Sequence, residues 1–446
     1  MIVALLLATA MQGPAAPQVT FTLTDALDRA LASHPSVQVA RAVHDHALAD
    51  LGDARSQQRP RVSLDASLSQ FEQPMVVLPL HGFDPRNPPL FDRSLVQTGV
   101  SAGWTVYDFG VRAARVRAQS LVGDATAAGV TTVERQLLAR TATAYINVLT
   151  ARDVLAAHDQ RIAALAAASD RVRQLVAQGK SARVDQLRVD AALRSAQADR
   201  IASASQLALA EDDLAQLTGV PAATVRRGAL SPLRVSDSVY AADTSDRVRG
   251  DLVQRAYQTS SEVREAHTRA RAAAATLDVA RALTRPEIRA SGAYVDRGRL
   301  AGTFAAEWNV GLALSYPLYA GGSLDRGVDR ATADERAATA QARAAELAVE
   351  TALDHALAAV REAHARAIAL QSAVDQSAEV ARIEQLSIDV GSGTQTEFLD
   401  AEANLLSVRS SLTQAQHAEM SARVDLARLL GELSRDWLAR TMEQRQ

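Results

Sequence analysis

Apolar and polar residues alternate singly in four short stretches of the chain. In the first, Val62, Leu64, Ala66 and Leu68 are separated by Ser63, Asp65 and Ser67. In the second, Val96, Val100, Ala102 and Trp104 alternate with Gln97, Gly99, Ser101 and Gly103. Ile288, Ala290, Gly292 and Tyr294 repeat the pattern, as do Trp308, Val310, Leu312 and Leu314. A period of two is that of a strand with one oily and one wet face. Strands are therefore predicted over 61–70, 95–106, 287–296 and 307–316, paired as hairpins by a Pro- and Gly-rich loop from Phe71 to Ser94 and a shorter one at 297–306. After each hairpin the punctuation disappears. Residues 110–178 hold no Pro, and after Gly110 itself Gly interrupts only at 123 and 129. At the helical rise such a segment extends roughly 100 Å, too long for one globular core, so it must run beside other helices. Long helices are predicted over 110–178 and 322–390, with returning helices over 181–218 and 394–430. Shorter helical segments, 24–58 and 251–284, open each half; Thr24-Asp25 supplies a start signal and Pro35 permits a second helix at its first turn.

The two halves are copies. At an offset of 212, Trp104 meets Tyr316, Gly110 meets Gly322, Gly179 meets Gly391, Asp185 meets Glu397, Leu187 meets Leu399 and Gly219 meets Gly431. Earlier in the chain the offset is 226, where Arg59-Pro60 meets Arg285-Pro286; the longer first hairpin loop absorbs the difference. Chance matching of two Ala-rich helices seldom keeps Gly, aromatic and acidic positions in one register. The chain divides into a signal-peptide-like segment 1–16, a first repeat 17–219, a linker or equatorial segment 220–250, a second repeat 251–431 and a tail 432–446. In the first segment, Ile2 to Ala10 is apolar and small residues follow at Ala8-Thr9-Ala10 and Pro14-Ala15-Ala16, although no Lys or Arg precedes the apolar run.

Composition narrows the function. The absence of Cys excludes disulfides, thiolate metal sites, a Cys nucleophile and acylation through an N-terminal Cys. A formal charge of −3 offers no electrostatic reason to expect nucleic acid. No run of 18 apolar residues exists, so a membrane would have to be crossed by a β-barrel. The strands have the required length, and 11 of the 17 aromatics fall in 61–110 and 287–322. Trp104, Tyr107, Tyr294, Trp308, Tyr316 and Tyr319 stand at strand ends, as in interfacial girdles. The competing reading is a water-soluble four-stranded sheet with one buried face. Open edges are forbidden in lipid, and four strands cannot close a barrel. Two chains would give eight strands and a plugged lumen; three would give twelve and a conduit, which the short wet-face residues favour. The fold class read here is mainly α with a membrane β-barrel. It has two repeats per chain, each a β-hairpin plus long and short antiparallel helices; the trimer has a 12-stranded barrel and a 12-helix α-barrel tunnel.

At this point the sequence resembles the TolC-type outer-membrane factor family, from about residue 20 to 431. The most specific segments are Gln178-Gly179-Lys180-Ser181-Ala182-Arg183-Val184-Asp185-Gln186-Leu187 and Val390-Gly391-Ser392-Gly393-Thr394-Gln395-Thr396-Glu397-Phe398-Leu399, which look like that family's periplasmic turn signature. Trp104 to Gly110 and Tyr316 to Gly322 resemble its strand-to-helix junctions. The resemblance implies a homotrimer in outer-membrane lipid, with a large periplasmic portion. It also implies docking on a periplasmic adaptor protein and an inner-membrane transporter, as the exit duct of a tripartite efflux pump or type I secretion system. No enzyme activity, cofactor, metal or nucleic acid is expected.

Three acids are candidate gate or selectivity residues. Glu397 and Asp400 stand three apart at a helix start and share a face. In a trimer they would form two carboxylate rings, which favour cations; Asp185 is the equivalent of Glu397 in the other repeat. The plainer alternative is that these acids complement a helix dipole. Gly179, Leu187, Gly391 and Leu399 are assigned by resemblance to the adaptor-docking tips; the plainer alternative is that Gly merely ends the helix. A soluble periplasmic coiled-coil or adaptor protein is the leading rival. Gly99-Val100-Ser101-Ala102-Gly103 matches the G-x-S-x-G nucleophile elbow, but inside an alternating strand, and His44-Asp45-His46 places its two histidines on different helix faces.

Overall fold

The computed structural model describes residues 20–77, 86, 90–233, 246–390 and 392–442. In chain order the elements are β1 (Thr20–Phe21), α1 (Leu23–Ser33), α2 (Pro35–Ser56), β2 (Arg61–Val76), β3 (Phe91–Tyr107), α3 (Val111–Ala177), α4 (Arg183–Thr218), α5 (Ala222–Arg227) and β4 (Ala229–Leu230). The second half continues with α6 (Asp246–Thr259), α7 (Ser261–Ala282), β5 (Glu287–Gly298), β6 (Phe304–Ser315), α8 (Ser323–Asp389), α9 (Gln395–Leu429) and α10 (Arg435–Met442). The two long helices have 67 residues each and the returning helices 36 and 35.

Several details depart from the sequence pattern. The helix at residue 23 is capped by Thr22, not Thr24: the Thr22 hydroxyl accepts from Asp25 N at 3.0 Å and Asp25 accepts from Thr22 N at 3.2 Å, a reciprocal capping box. The opening segments 24–58 and 251–284 are each two helices, broken at His34 and at Ser260. Pro35 signals the first break; the equivalent position in the second half is Ser261, which signals nothing. The first hairpin is longer than predicted, because β2 runs on to Val76 and β3 begins at Phe91. Alternation stops being regular at Gln70, where the ladder shifts register before Met75, and Pro74, which has no N–H to donate, lies in that gap. Residues expected to be a linker include α5 and β4, and the expected tail includes α10. The apolar leader lies outside the described residues, as do parts of the first hairpin loop and of the linker.

The described residues form two compact units that do not coincide with the repeats. One takes its residues from Met1–Gln38, Val133–Ser260 and Val349–Gln446; the other takes Val39–Thr132 and Ser261–Ala348, so each contains parts of both halves. The first unit holds the largest apolar core among the described residues. Leu23 and Leu27 of α1, Tyr145, Ile146 and Val148 of α3, Leu214 of α4, Val424 of α9 and Leu438 of α10 are buried together there. The two-residue strands β1 and β4 pair in parallel at this core. Tyr145 lies beneath them, its hydroxyl 3.0 Å from the carbonyl oxygens of both Phe21 and Ser231. A strand of two residues leaves no periodic trace in a sequence.

The second unit contains an antiparallel sheet of order β2-β3-β5-β6. The hairpins of the two repeats join through β3 and β5, with Val100 opposite Tyr294 and Ala102 opposite Gly292. Register puts the oily positions of all four strands on one face: Val62 pairs with Ala102, Leu64 with Val100, Gly292 with Val310 and Ala290 with Leu312. That face is uncovered. Leu64, Val310, Leu312 and Leu314 are 71–78% exposed, which a soluble protein would not tolerate over so contiguous an area. On the other face Ser63 and Ser101 hydroxyls meet at 2.7 Å. The outer edges of β2 and β6 have no strand neighbour among the described residues.

Candidate channel wall and periplasmic tips

The predicted interfacial aromatics fall into two groups along the sheet. Tyr294 and Trp308 are cross-strand partners on the oily face, 55% and 75% exposed. Trp104, Tyr107, Tyr316 and Tyr319 stand at the opposite end, where strands give way to helices, and all four are exposed. Trp104 donates its indole N–H to the Gln58 carbonyl at 3.0 Å, and Tyr107 meets Phe109 edge-to-face at 4.7 Å. From Trp308 to Tyr316 the chain climbs roughly 26 Å along the strand, about 20 Å along a membrane normal at ordinary barrel tilt. The apolar residues Val310, Leu312 and Leu314 fill the interval. This is a belt–band–belt arrangement on one face of a sheet.

The tips belong to the other unit. Gly179 ends α3 with φ of +75°; its N–H bonds the Val176 carbonyl and that of Lys180 bonds the Leu175 carbonyl, a Schellman closure. Leu187 is 60% exposed and Val184, three residues before it, 50%. Leu399 is half-buried and packs with the cluster of Ala168, Val172, Val189 and Phe398. Gly391 lies outside the described residues.

Asp185 and Glu397 occupy the same slot, the third residue of a returning helix. Glu397 closes a capping box: its carboxylate accepts from Thr394 N at 2.9 Å and from the Thr394 hydroxyl at 2.7 Å. These bonds hold its pKa below the ordinary carboxylate value. Asp185 accepts from the Ser181 hydroxyl at 3.1 Å. The acid shared by the two repeats therefore has a local reason to exist, quite apart from any ring. Asp400, one turn further on, is exposed and makes no hydrogen bond or ion pair among the described residues. Sequence reading missed Arg188. Its Nη1 lies 3.8 Å from Asp185 and 3.4 Å from the Thr396 hydroxyl, so it links the tips of the two repeats. The spacing of three from Asp185 was the available signal.

A second polar group was missed in the same unit. His417 is partly buried in α9, with Nδ1 2.7 Å from the Thr150 hydroxyl. Burial depresses its pKa, against the pull of Asp153, whose own pKa burial raises. The weaker motifs resolve plainly. Gly99 to Gly103 lies in mid-strand, where Ser101 faces Ser63 and Asp65, not in a strand–turn–helix elbow. His44 contacts Thr126 while His46 contacts Asp50, and no metal-binding cluster occurs among the described residues. No described helix is long and apolar enough to cross a membrane.

A model of the outer membrane efflux protein family matches residues 26–220 and again 252–432, once per repeat. The chain belongs to the outer membrane efflux protein family. It is 28% identical to protein CyaE of Bordetella pertussis over 423 residues, covering 90% of this chain and 84% of that protein. Its fold is that of the outer membrane protein VceC of Vibrio cholerae, with a TM-score of 0.75, 19% identity, and 92% and 96% of the two chains covered. It is also that of the CmeC outer membrane channel of Campylobacter jejuni, with a TM-score of 0.80, 15% identity, and 92% and 85% covered. The chain is thus an outer-membrane channel protein of the efflux class. The soluble adaptor reading has no support.

Proposed function

We propose that three copies close one 12-stranded barrel and one 12-helix tunnel. The resulting passive duct receives cargo from an inner-membrane transporter through a periplasmic adaptor protein, in a tripartite efflux pump or type I secretion system. The carrying observation is a four-stranded sheet with an uncovered apolar face and two edges that no strand pairs among the described residues, an arrangement lipid does not permit in a single chain. Three copies give a bore, and the short wet-face side chains leave it open. The duct catalyses nothing; energy comes from the partner. Glu397 and Asp400, with Asp185 in a lesser part, line the narrow periplasmic end as a cation-favouring gate, while Gly179, Leu187, Gly391 and Leu399 mark the adaptor-docking tips. Residues 1–16 act as the export signal.

Membrane fractionation tests this directly. The protein should be recovered from the outer membrane as a heat-modifiable oligomer, and recovery as a soluble monomer would overturn the proposal. Because the chain has no Cys, one Cys placed in β2 and one in β6 report edge-to-edge pairing. Disulfide-linked trimers are expected, and exclusively monomeric chains under oxidation contradict closure by sister subunits.

A further inference from the structure

We infer that the wet face at the helix end of the sheet carries an anion site made of guanidinium groups, which binds soluble phosphate-type oxyanions moving through the bore. The inference rests on the channel reading above. A cavity of about 670 Å³ opens there within one compact unit, lined by the ends of β3 and β6, the starts of β2, β5 and α3, and the turns beside them. Six arginines and only two carboxylates line it. The two acids are already engaged: Asp108 with Arg112 at 2.8 Å, and Glu287 with Arg289 at 3.1 Å. The remaining four guanidiniums have no carboxylate partner among the described residues. Arg115 donates to the Gln57 side-chain oxygen and Arg285 to the Phe109 carbonyl, each leaving further N–H groups unused. The side chains of Arg59 and Arg61 make no hydrogen bond or ion pair among the described residues.

Strand register decides which side of the wall the site is on. Arg61 pairs with Gly103 and Arg289 with Thr105, the rows that continue the Ser63–Ser101 face and oppose Val62 and Leu64. The nearest acid further along that face, Asp65, is bonded to Ser63 and Ser101. The β3–α3 turn fixes the cavity floor. Phe109 and Gly110 both take positive φ, and the Asp108 carboxylate accepts from the N–H groups of Gly110 and Arg112. Arg112 and Arg115 thereby project from the first two turns of α3. Planar guanidinium forks match the paired oxygens of a phosphate, and four of them in one cavity without a carboxylate partner among the described residues favour a multivalent anion over chloride.

The test uses the full-length oligomer in planar bilayers of zwitterionic lipid, with inorganic pyrophosphate as the probe. Pyrophosphate should reduce the open-channel current. In Arg59→Gln/Arg61→Gln the half-blocking concentration should rise about tenfold or more, since one charge-assisted bond is worth about that factor. Neither side chain makes a hydrogen bond or ion pair among the described residues, so the variant should run as the same heat-modifiable oligomer. Should it not, Arg59→Lys/Arg61→Lys, which keeps the charge and loses the fork, should give a smaller rise. Wild-type channels that conduct but show no block, or a variant blocked equally, overturn the anion site alone. Absence of any channel events from the wild type overturns the channel reading instead. Phosphatidylglycerol retained by the purified protein, lost in the variant, and unaccompanied by pyrophosphate block would assign the arginines to a lipid headgroup and overturn the lumenal site.

Discussion

Leu312→Arg asks the sharpest question of the sheet, namely which face meets lipid. Leu312 stands midway between Trp308 and Tyr316, with 75% of its surface exposed. If those aromatics mark the two interfaces, position 312 is at the middle of the hydrocarbon. An Arg there costs about 2–4 kcal/mol per chain. Each 1.4 kcal/mol is a factor of ten, so the assembled fraction should fall by roughly 30- to 800-fold per chain, and a shared barrel would carry three copies. Asn309→Arg is the control. Asn309 is also exposed but lies on the wet face opposite Ala293, where an added charge changes conduction, not insertion. The assay is the amount of heat-modifiable oligomer in outer-membrane fractions at matched expression. The reasoning predicts near-normal recovery of Asn309→Arg and severe loss of Leu312→Arg. Equal recovery of the two would refute the assignment of the oily face to lipid, and with it the wall of the channel.

Three further predictions concern the helical unit. Glu397→Gln with Asp400→Asn should lower cation selectivity, read as a reversal-potential shift in a salt gradient. Gln still reaches the Thr394 N–H, so the helix start survives and an unchanged potential removes these acids as a gate. Gly219 and Gly431 both have φ of +68°, but a Cβ on Gly219 would meet the Ser33 hydroxyl, which can rotate away, whereas on Gly431 it would meet the Thr259 carbonyl at 2.1 Å. Ala should therefore cost about 1–2 kcal/mol at 219 and clearly more at 431 in denaturation of the purified protein; equal losses would refute the distinction. His417 is held neutral by burial, so the unfolded chain binds the extra proton below its ordinary pKa of 6.5, and stability falls as pH drops through that value. Asp153 has the opposite sign and returns stability only as pH falls through its own raised pKa toward 3.8. Melting curves from pH 8 to 5.5 should slope less in His417→Gln than in the parent, and identical slopes would show that His417 does not report this linkage.

The duplication, the four strands, the long helices and their Gly-terminated turns were all legible in the sequence. Each repeats a local rule many times: period two for a half-wetted strand, an unbroken helical run, a glycine where φ turns positive. Even the placing of Asp185 and Glu397 at matching helix starts could be read from spacing. The tertiary structure alone decided what depends on neighbours remote in sequence. Nothing in the period of β3 says that it pairs with β5, about 190 residues away, nor that two-residue strands at 20 and 229 meet over Tyr145. The arginines show the same division. Arg59, Arg61, Arg115 and Arg285 are scattered single charges along the chain, each ordinary at its own position. Only folding brings them to one cavity while leaving the local carboxylates to other partners. Chain periodicity fixes which way a side chain leaves its own element; convergence of elements fixes what it finds there.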